Sequence, residues 1–114
     1  MELHKIVESF GLEVKAGSGI LHREVEGGYV SDLLSDVIAN SMKGDLWLTL
    51  QVHKNIVAVA TLKELAGIVI IGGKTPAEET VKKAEEEGIV LLASSLPAFE
   101  LAGQLYKLGV CGRD

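Results

Sequence analysis

Apolar residues follow two kinds of pattern along this chain. One has the spacing i, i+3, i+4 and i+7, which places apolar side chains on one face of a helix, and the other is a short run of strand-forming residues. Together with the glycines that end helices, the first pattern predicts helices over residues 3–10, 34–43, 55–66, 75–87 and 98–108. The second pattern predicts strands over residues 45–50, 68–71 and 89–93.

Two stretches are less regular. Residues 12–32 are rich in glycine and in strand-forming residues, and they predict short strands with turns at 17–19 and 27–28. The segment that begins at Asn55 carries β-branched residues that favour a strand, whereas its length favours a helix. We predict a helix, because Asn55 is a good N-cap and Gly67 is a good stop.

From residue 45 onward the predicted elements alternate as βαβαβα with short connections. Strands joined in this way are parallel, and each crossover through a helix is right-handed. The runs at 68–71 and 89–93 are apolar on both faces, as expected for parallel strands that are covered on both sides. The sequence therefore predicts an α/β fold with a mostly parallel sheet, in one domain over residues 1–114, with strands of mixed direction from residues 12–32.

The composition adds an expectation about assembly. Hydrophobic residues make up 47% of the 114 residues and the mean hydropathy is +0.29, but aromatic residues make up only 4%. A domain of this size has much surface for its volume. We therefore expect part of the apolar surplus to be buried between subunits, in a homodimer.

Charge and cysteine usage narrow the functional classes. The formal net charge of −5 and the isoelectric point of about 5.2 argue against nucleic acid or an anionic membrane as the partner. No apolar run approaches the ~20 residues that a membrane span needs, and the charged N-terminus is unlike a signal peptide. Cys111 is the single cysteine, so no intrachain disulfide can form and a cytoplasmic location is expected.

The segment GGKT at residues 72–75 has the outline of a phosphate-binding loop, because it joins an apolar strand to a helix. A Walker loop would need its first glycine where the chain has Ile68, which lies inside the predicted strand. We therefore interpret the segment as a strand exit in which Gly72 and Gly73 adopt positive φ angles. A capped helix start follows, with Thr75 as N-cap, then a proline at the first helical position and a glutamate at the third.

Three predicted strand ends form the candidate binding site. In an open α/β sheet, ligands bind beyond the carboxyl ends of the strands, and these ends fall at 51–55, 72–75 and 94–95. If the strands are neighbours, the loops line one crevice, in which Lys74 meets an anionic ligand. The alternative is that these are ordinary polar loop residues. The candidate ligand-binding residues are Gln51, His53, Lys54, Asn55, Gly72, Gly73, Lys74 and Ser94.

The sequence contains no recognisable catalytic or metal-binding pattern. His4, His22 and His53 lack the spacing of metal ligands, and neither a nucleophile elbow nor a dinucleotide fingerprint occurs. We predict neither a metal nor a cofactor. An enzyme that uses His53 as an acid or base ranks last among the hypotheses, because no second catalytic group is spaced to help it.

The order of the segments resembles the DRTGG domain. The Thr-Gly-Gly part of this family's signature is matched in part by Ile71-Gly72-Gly73, and the glutamate-rich helix and closing strand within residues 75–94 resemble those of the family. The Gly-Asp-Arg part is not matched, since residues 51–55 take its place. The resemblance covers residues 2–108.

This resemblance implies both a fold and a role. Similar domains form the N-terminal part of HPr kinase/phosphorylase and accompany CBS domains in some regulated pyrophosphatases, and another domain carries the catalysis there. Their fold is similar to the N-terminal domain of the Mur ligases, a three-layer α/β/α arrangement with a mixed sheet. Together with the absence of a catalytic pattern and the apolar surplus, this accessory role of the family leads us to expect a stand-alone, non-catalytic regulatory module that binds a nucleotide or phosphorylated metabolite. The alternative is an interaction module that docks on a separately encoded enzyme.

Overall fold

A five-stranded mixed sheet forms the centre of the molecule. The computed structural model describes residues 1–111, and residues 112–114 of the predicted domain lie outside it. The strands are β1 (Glu13–Ala16), β2 (Gly27–Val30), β3 (Asp45–Thr49), β4 (Gly67–Ile70) and β5 (Leu91–Ala93). They lie in the order β1-β5-β4-β3-β2, in which β2 to β5 are parallel and β1 is antiparallel to β5. The prediction of a mostly parallel sheet is confirmed, and the N-terminal third supplies one strand to each edge.

Helices cover both faces of this sheet and make a three-layer α/β/α structure, as the resemblance implied. The helices are α1 (Leu3–Phe10), α2 (Leu34–Asn40), α3 (Asn55–Lys63), α4 (Glu78–Glu87) and α5 (Ala98–Leu108), with a 3-10 turn at Ser18–Ile20. Side chains of α1 and α5 share one apolar cluster with the sheet, and side chains of α2, α3 and α4 share the other. Within residues 1–111, none of the helices has the length and apolar character needed to cross a bilayer.

The central strands are apolar on both faces because each face meets a layer of helices. In β4, Ile68 and Ile70 pack into the cluster of α2, α3 and α4, whereas Val69 between them packs into the cluster of α1 and α5. Trp47 in β3 is also fully buried, and its indole Nε1 donates a hydrogen bond of 2.8 Å to the carbonyl of Ser31. The tryptophan is therefore a core residue that also holds the end of β2 against β3.

The predicted helix starts are wrong in their capping residues. The cap positions of α3, α4 and α5 are Lys54, Ala77 and Pro97, and none of them makes a side-chain cap hydrogen bond. Asn55 and Thr75 therefore do not cap α3 and α4 as predicted. At α4 the amide of the cap residue Ala77 instead donates to the carbonyl of Val52, a distant partner that leaves no local sequence signal.

Glycines were also misassigned in three places. Gly27 and Gly28, predicted to form a turn, begin the edge strand β2. Gly67, predicted to end α3, begins β4, because the helix stops earlier, at Glu64 in the left-handed conformation (φ 54°). Gly44 lies beyond the end of α2, which stops at Asn40.

Gly17 makes a close contact in the connection after β1. Its φ is +83°, and its amide donates a hydrogen bond of 3.1 Å to Oε1 of Glu85 in α4. A Cβ added at this position would lie 2.9 Å from the Cα of Val90. Any side chain here would therefore push the β1 connection away from the backbone that leads into β5.

Replacing this glycine tests how tightly β1 is attached. We expect Gly17→Ala to lower the free energy of unfolding by about 1–3 kcal/mol, because it combines left-handed strain with a backbone clash. The matched control is Gly19→Ala, where an added Cβ meets no atom within 4 Å and φ lies outside the left-handed region. Urea denaturation measures both variants, and an equal loss in the two would contradict this account of β1.

Candidate functional site

A cleft of about 570 Å³ opens at the carboxyl end of β5. Because β1 runs antiparallel to β5, Glu13 pairs with Ala93, and the start of β1 and the end of α1 lie beside the loop that follows β5. The turn after β4 supplies the remaining wall. Residues from the N-terminal and the C-terminal parts of the chain therefore line the cleft together, near the β1 edge of the sheet.

The direction of the chain after each strand explains why the cleft forms here. The chain that leaves β4 passes to α4 on one face of the sheet, whereas the chain that leaves β5 passes to α5 on the other face. Neighbouring strands whose connections leave to opposite faces leave a crevice at their carboxyl ends, which is the common ligand position in open α/β sheets.

The backbone amides of the turn after β4 donate hydrogen bonds within the protein. Gly72 and Gly73 have φ angles of +66° and +73°, which confirms the predicted positive values. Their amides donate hydrogen bonds of 2.8 Å to the carbonyl of Leu96 and 3.0 Å to the carbonyl of Ser94, and the amide of Lys74 donates to Ile71. These bonds tie the β4 and β5 loops together. Any contribution of the two glycines to ligand binding thus comes from the space they leave, not from their amides.

Other donors at the cleft remain available. Lys74 is exposed, and it takes part in none of the ion pairs among residues 1–111. The hydroxyl of Ser94 accepts a hydrogen bond from the amide of Leu96, which leaves its proton free to donate. The amides of Thr75 and Ser95 donate to no acceptor in the described part of the chain. An ammonium group, hydroxyls and amides thus converge at the mouth of one cleft, and this donor set suits a phosphate group.

The same cleft also has charged and apolar side chains in its walls. Lys15 forms an ion pair of 2.8 Å with Glu13, so these two charges largely cancel each other. Phe10 and Leu96 are half-buried, pack against the core and line the cleft. The cleft can therefore offer a planar apolar surface next to its polar mouth.

The loop at 51–55 does not line this cleft. Gln51 donates through Nε2 to the carbonyl of Asp32 at 2.9 Å, and Nζ of Lys54 lies 3.9 Å from a carboxylate oxygen of Glu79. His53 and Asn55 are exposed beside them. Of the predicted residues, the structure thus brings Gly73, Lys74 and Ser94 together in the cleft.

Leu50 separates the two groups of predicted residues. A Cβ added at Gly72 would lie 3.1 Å from Cδ2 of Leu50, so this leucine side chain stands against the turn after β4. β3 and β4 are neighbours, as the site prediction required. Adjacent strand ends nevertheless do not make one crevice here, because the side chain at the end of β3 fills the space between the loops.

The 51–55 loop has a clear structural role. The carbonyl of Val52 accepts hydrogen bonds from the amide of Ala77 at 3.1 Å and from the hydroxyl of Thr80 at 2.6 Å. Thr80 is fully buried. The loop after β3 therefore satisfies donors at the start of α4, which is the task that the sequence assigned to Thr75.

A second polar cluster lies between β2 and α2, away from the cleft. The hydroxyl of Tyr29 donates to Asp36 at 2.9 Å, and Nδ2 of Asn40 donates to the same carboxylate at 2.9 Å. Hydrogen bonds from Asn40, Ser31 and Tyr29 lower the pKa of Asp36. The carboxylate raises the pKa of Tyr29 in turn. Because the pKa of Asp36 is depressed, its small contribution to stability is present at neutral pH and is lost as the pH falls through its folded-state pKa.

Metal-ligand groups do not gather in the described residues. No set of three or more His, Cys, Asp or Glu side chains among residues 1–111 could hold a metal ion. His4 lies beside Glu2, with Nε2 at 2.9 Å from its carboxylate, and His22 and His53 are exposed.

Sequence reasoning missed the wall of the cleft that comes from the N-terminal third. The pairing of β1 with β5 has no local signal, so no pattern in the sequence places these residues near Lys74. The alternation of Glu13 and Lys15 along one strand is the nearest hint, because residues two apart share a face. The cleft residues outside the predicted strand ends include Ser9, Phe10, Gly11, Glu13, Lys15 and Gln104.

Comparison with known proteins identifies the fold. No protein-family model matches the chain, and no curated protein sequence matches it. Among solved structures, the chain is similar to the CBS and DRTGG domains of the regulatory region of Clostridium perfringens pyrophosphatase, complexed with the activator diadenosine tetraphosphate. The TM-score is 0.71 at 15% identity, over 90% of this chain and 44% of that one. The chain thus spans less than half of that structure and has a DRTGG-like fold, as its sequence predicted.

The bond between α4 and the β3 loop can be tested by substitution. We expect Thr80→Val to lower the free energy of unfolding by about 1–2 kcal/mol, because it removes a buried hydrogen bond at nearly constant volume. Thr61→Val is the control, since Thr61 is exposed and its hydroxyl bonds to the carbonyl of Val57 within α3. Its change should stay within about 0.5 kcal/mol. Equal thermal and urea stability of Thr80→Val and the wild type would show that the Val52 carbonyl does not hold α4.

Proposed function

We propose that this chain, with its DRTGG-like fold, is a regulatory module without catalytic activity of its own. In this proposal it binds a nucleotide or another phosphorylated metabolite in the cleft beside β5. The observation that carries the proposal is the ammonium group of Lys74 at the mouth of this cleft, which forms no ion pair within residues 1–111. It lies next to the hydroxyls of Thr75, Ser94 and Ser95 and the amides of Thr75 and Ser95.

The charge at the cleft favours an anion despite the acidic protein. The net charge is −5, but Lys15 and Glu13 neutralise each other within the cleft. Lys74 is then the charge that an approaching ligand meets, and it lies on an exposed turn that two backbone bonds hold in place. A lysine presented in this way contributes to phosphate binding as a point charge.

The size and the apolar part of the cleft favour a ligand larger than inorganic phosphate. Ligand sites commonly have volumes of about 300–1,000 Å³, and this cleft has about 570 Å³. Phe10 and Leu96 line the same cleft and are less exposed than Lys74. An aromatic ring there can stack with a nucleobase while the phosphate meets Lys74.

The structural likeness supports the same class of ligand. The Clostridium perfringens regulatory region, part of which is similar to this fold, is complexed with the activator diadenosine tetraphosphate. At 15% identity the likeness carries the fold and not the binding residues, so the residues in our proposal come from the cleft itself. A regulatory module acts on a catalytic unit, and we place that unit in a partner enzyme or in another part of a longer polypeptide.

Among the residues predicted from the sequence, we assign the binding role to Lys74 and Ser94. The assignment rests on their positions in the lining of the cleft. Gly73, which precedes Lys74 in the turn after β4, has no side chain to occupy the cleft. Gln51, His53, Lys54 and Asn55 lie outside the cleft. His53 and Lys54 are exposed, and a ligand that reached past Leu50 would meet them.

Ligand screening by thermal shift tests this proposal. We expect a nucleotide or sugar phosphate to raise the melting temperature, because a ligand that binds only the folded state stabilises it. Lys74→Ala should weaken binding at least tenfold, about 1.4 kcal/mol, because it removes the unpaired charge. Lys74→Arg should retain most of the affinity, and higher ionic strength should weaken binding to the wild type.

His53→Ala is the matched control, because it removes an exposed titratable side chain from the neighbouring loop without touching the cleft. Titration calorimetry with the best ligand of the screen compares the three variants with the wild type. Two results would refute the proposal: no phosphorylated compound binds, or His53→Ala weakens binding as much as Lys74→Ala does.

A further inference from the structure

The last helix carries apolar residues on two sides. One side faces the core, and the other runs from Phe99 to Tyr106, with Ala102 at its margin also packed against the core. Leu101 and Leu105 are buried against the sheet. A second set, which we call the outer stripe, consists of Phe99, Ala102, Gly103 and Tyr106 and has the spacing i, i+3, i+4 and i+7. Phe99 is 86% exposed and Tyr106 is 65% exposed. A surface helix of a monomer needs one apolar stripe, so the second stripe is evidence for a partner.

An apolar cleft lies next to the outer stripe. It has a volume of about 200 Å³ and lies between α5 and the edge strand β2. Ala102 and Tyr106 form its helix side, and Val30 and Leu48 are among the residues that form its sheet side. Phe99 does not line it. One helix therefore presents an exposed phenylalanine and, seven residues further on, a cleft with room for a phenyl ring.

We propose that a second copy of this chain packs on the outer stripe, with the two α5 helices antiparallel. A two-fold axis between Ala102 and Gly103 then brings Phe99 of each copy opposite Tyr106 of the other. Phe99 and Tyr106 are about 10.5 Å apart along the helix. Because this spacing is the same in both copies, the two-fold axis produces two identical Phe99–Tyr106 contacts. Each phenylalanine enters the apolar cleft beside the facing tyrosine, so the contact is self-complementary.

The centre of the stripe allows the two helices to approach closely. A Cβ added at Gly103 would meet no atom within 4 Å, so the surface above this glycine is open. Gly103 and Ala102 together make a shallow depression between the two aromatic side chains. Small residues at a crossing point reduce the distance between helix axes, which increases the contact made by the flanking aromatics.

Charge complementarity favours the antiparallel arrangement and a second copy as the partner. Glu100 lies in the first turn of α5 and Lys107 lies in the last turn. With antiparallel helices, Glu100 of each copy lies beside Lys107 of the other, whereas parallel helices would bring like charges together. The chain thus supplies the phenylalanine, the cleft that receives it and both charges, in the order that a two-fold axis requires. A different partner would have to supply each of these features independently.

Sedimentation equilibrium of the full chain tests the assembly. We expect a species of twice the 12.1 kDa chain mass at micromolar concentration. Phe99→Ser should raise the dissociation constant by about 30-fold or more, as expected for a buried aromatic anchor. Leu62→Ser is the matched control, because Leu62 is 66% exposed but lies on α3 at the other face of the sheet. A monomeric wild type, or an equal loss in the control, would overturn the proposal.

Charge exchange tests the orientation of the helices. We expect Glu100→Lys alone and Lys107→Glu alone each to weaken the dimer, because each places like charges side by side. The double exchange should restore wild-type affinity, since it recreates the opposite pair in reverse. Single variants that dimerise like the wild type, or a double variant no better than the singles, would exclude the antiparallel pairing.

A symmetric cross-link locates the two-fold axis. In a Cys111→Ser background, Gly103→Cys places one thiol per copy next to the proposed axis, so mild oxidation should produce a covalent dimer. Leu62→Cys in the same background should cross-link far less. A wild type that dimerises while Gly103→Cys fails to cross-link would place the interface elsewhere. These measurements need no ligand, so their outcome is independent of whether the cleft beside β5 binds a phosphorylated compound.

Discussion

The burial of both faces of the central strands is the constraint on which the rest of the structure depends. β3, β4 and β5 have apolar side chains on each side, so each face needs its own layer of helices. The crossovers from β2 to β5 all place their helices on one face. Covering the other face falls to the two helices outside the crossovers, α1 and α5, which come from opposite ends of the chain.

The placement of α1 and α5 on the second face of the sheet creates the cleft. α5 must leave β5 toward the face opposite to α4, and α1 must lie beside α5 on that face, so the chain segments diverge at the carboxyl end of β5. β1 then pairs antiparallel with β5 and closes the side of the opening. The bonds from Gly72 and Gly73 to the β5 loop stop the opening from extending toward β3. The position of the cleft is thus a consequence of how the core is covered, and Lys74 occupies its mouth because it follows those two glycines.

α5 has a double task in this arrangement. Its inner residues, Leu101 and Leu105, complete the core, and its side toward Gln104 forms part of the wall of the cleft beside β5. The outer stripe lies on the remaining side, next to the edge strand β2. An edge strand and an apolar helix face side by side are exposed surfaces that a soluble protein usually covers. A contact through this surface would leave the cleft beside β5 open, because the two features lie on different sides of α5.

The sequence by itself determined most of the secondary structure and the class of the fold. The periods of α1, α4 and α5 and the apolar runs of the central strands are local patterns, and burial imposes them wherever a helix or strand contacts the core. The parallel order followed from the βαβ connections, and the positive φ angles of Gly72 and Gly73 followed from glycine's freedom.

The contacts between residues distant in sequence are visible only in the folded chain. The Val52 carbonyl replaces Thr75 as the partner of the α4 start, Leu50 separates the 51–55 loop from Lys74, and β1 brings Glu13 and Lys15 to the cleft. Each of these contacts joins groups that are distant in sequence, and their energy depends on geometry that no local pattern records. Lys74 and Ser94 could therefore be proposed from the sequence as neighbours at strand ends, but the remaining wall of their cleft could not.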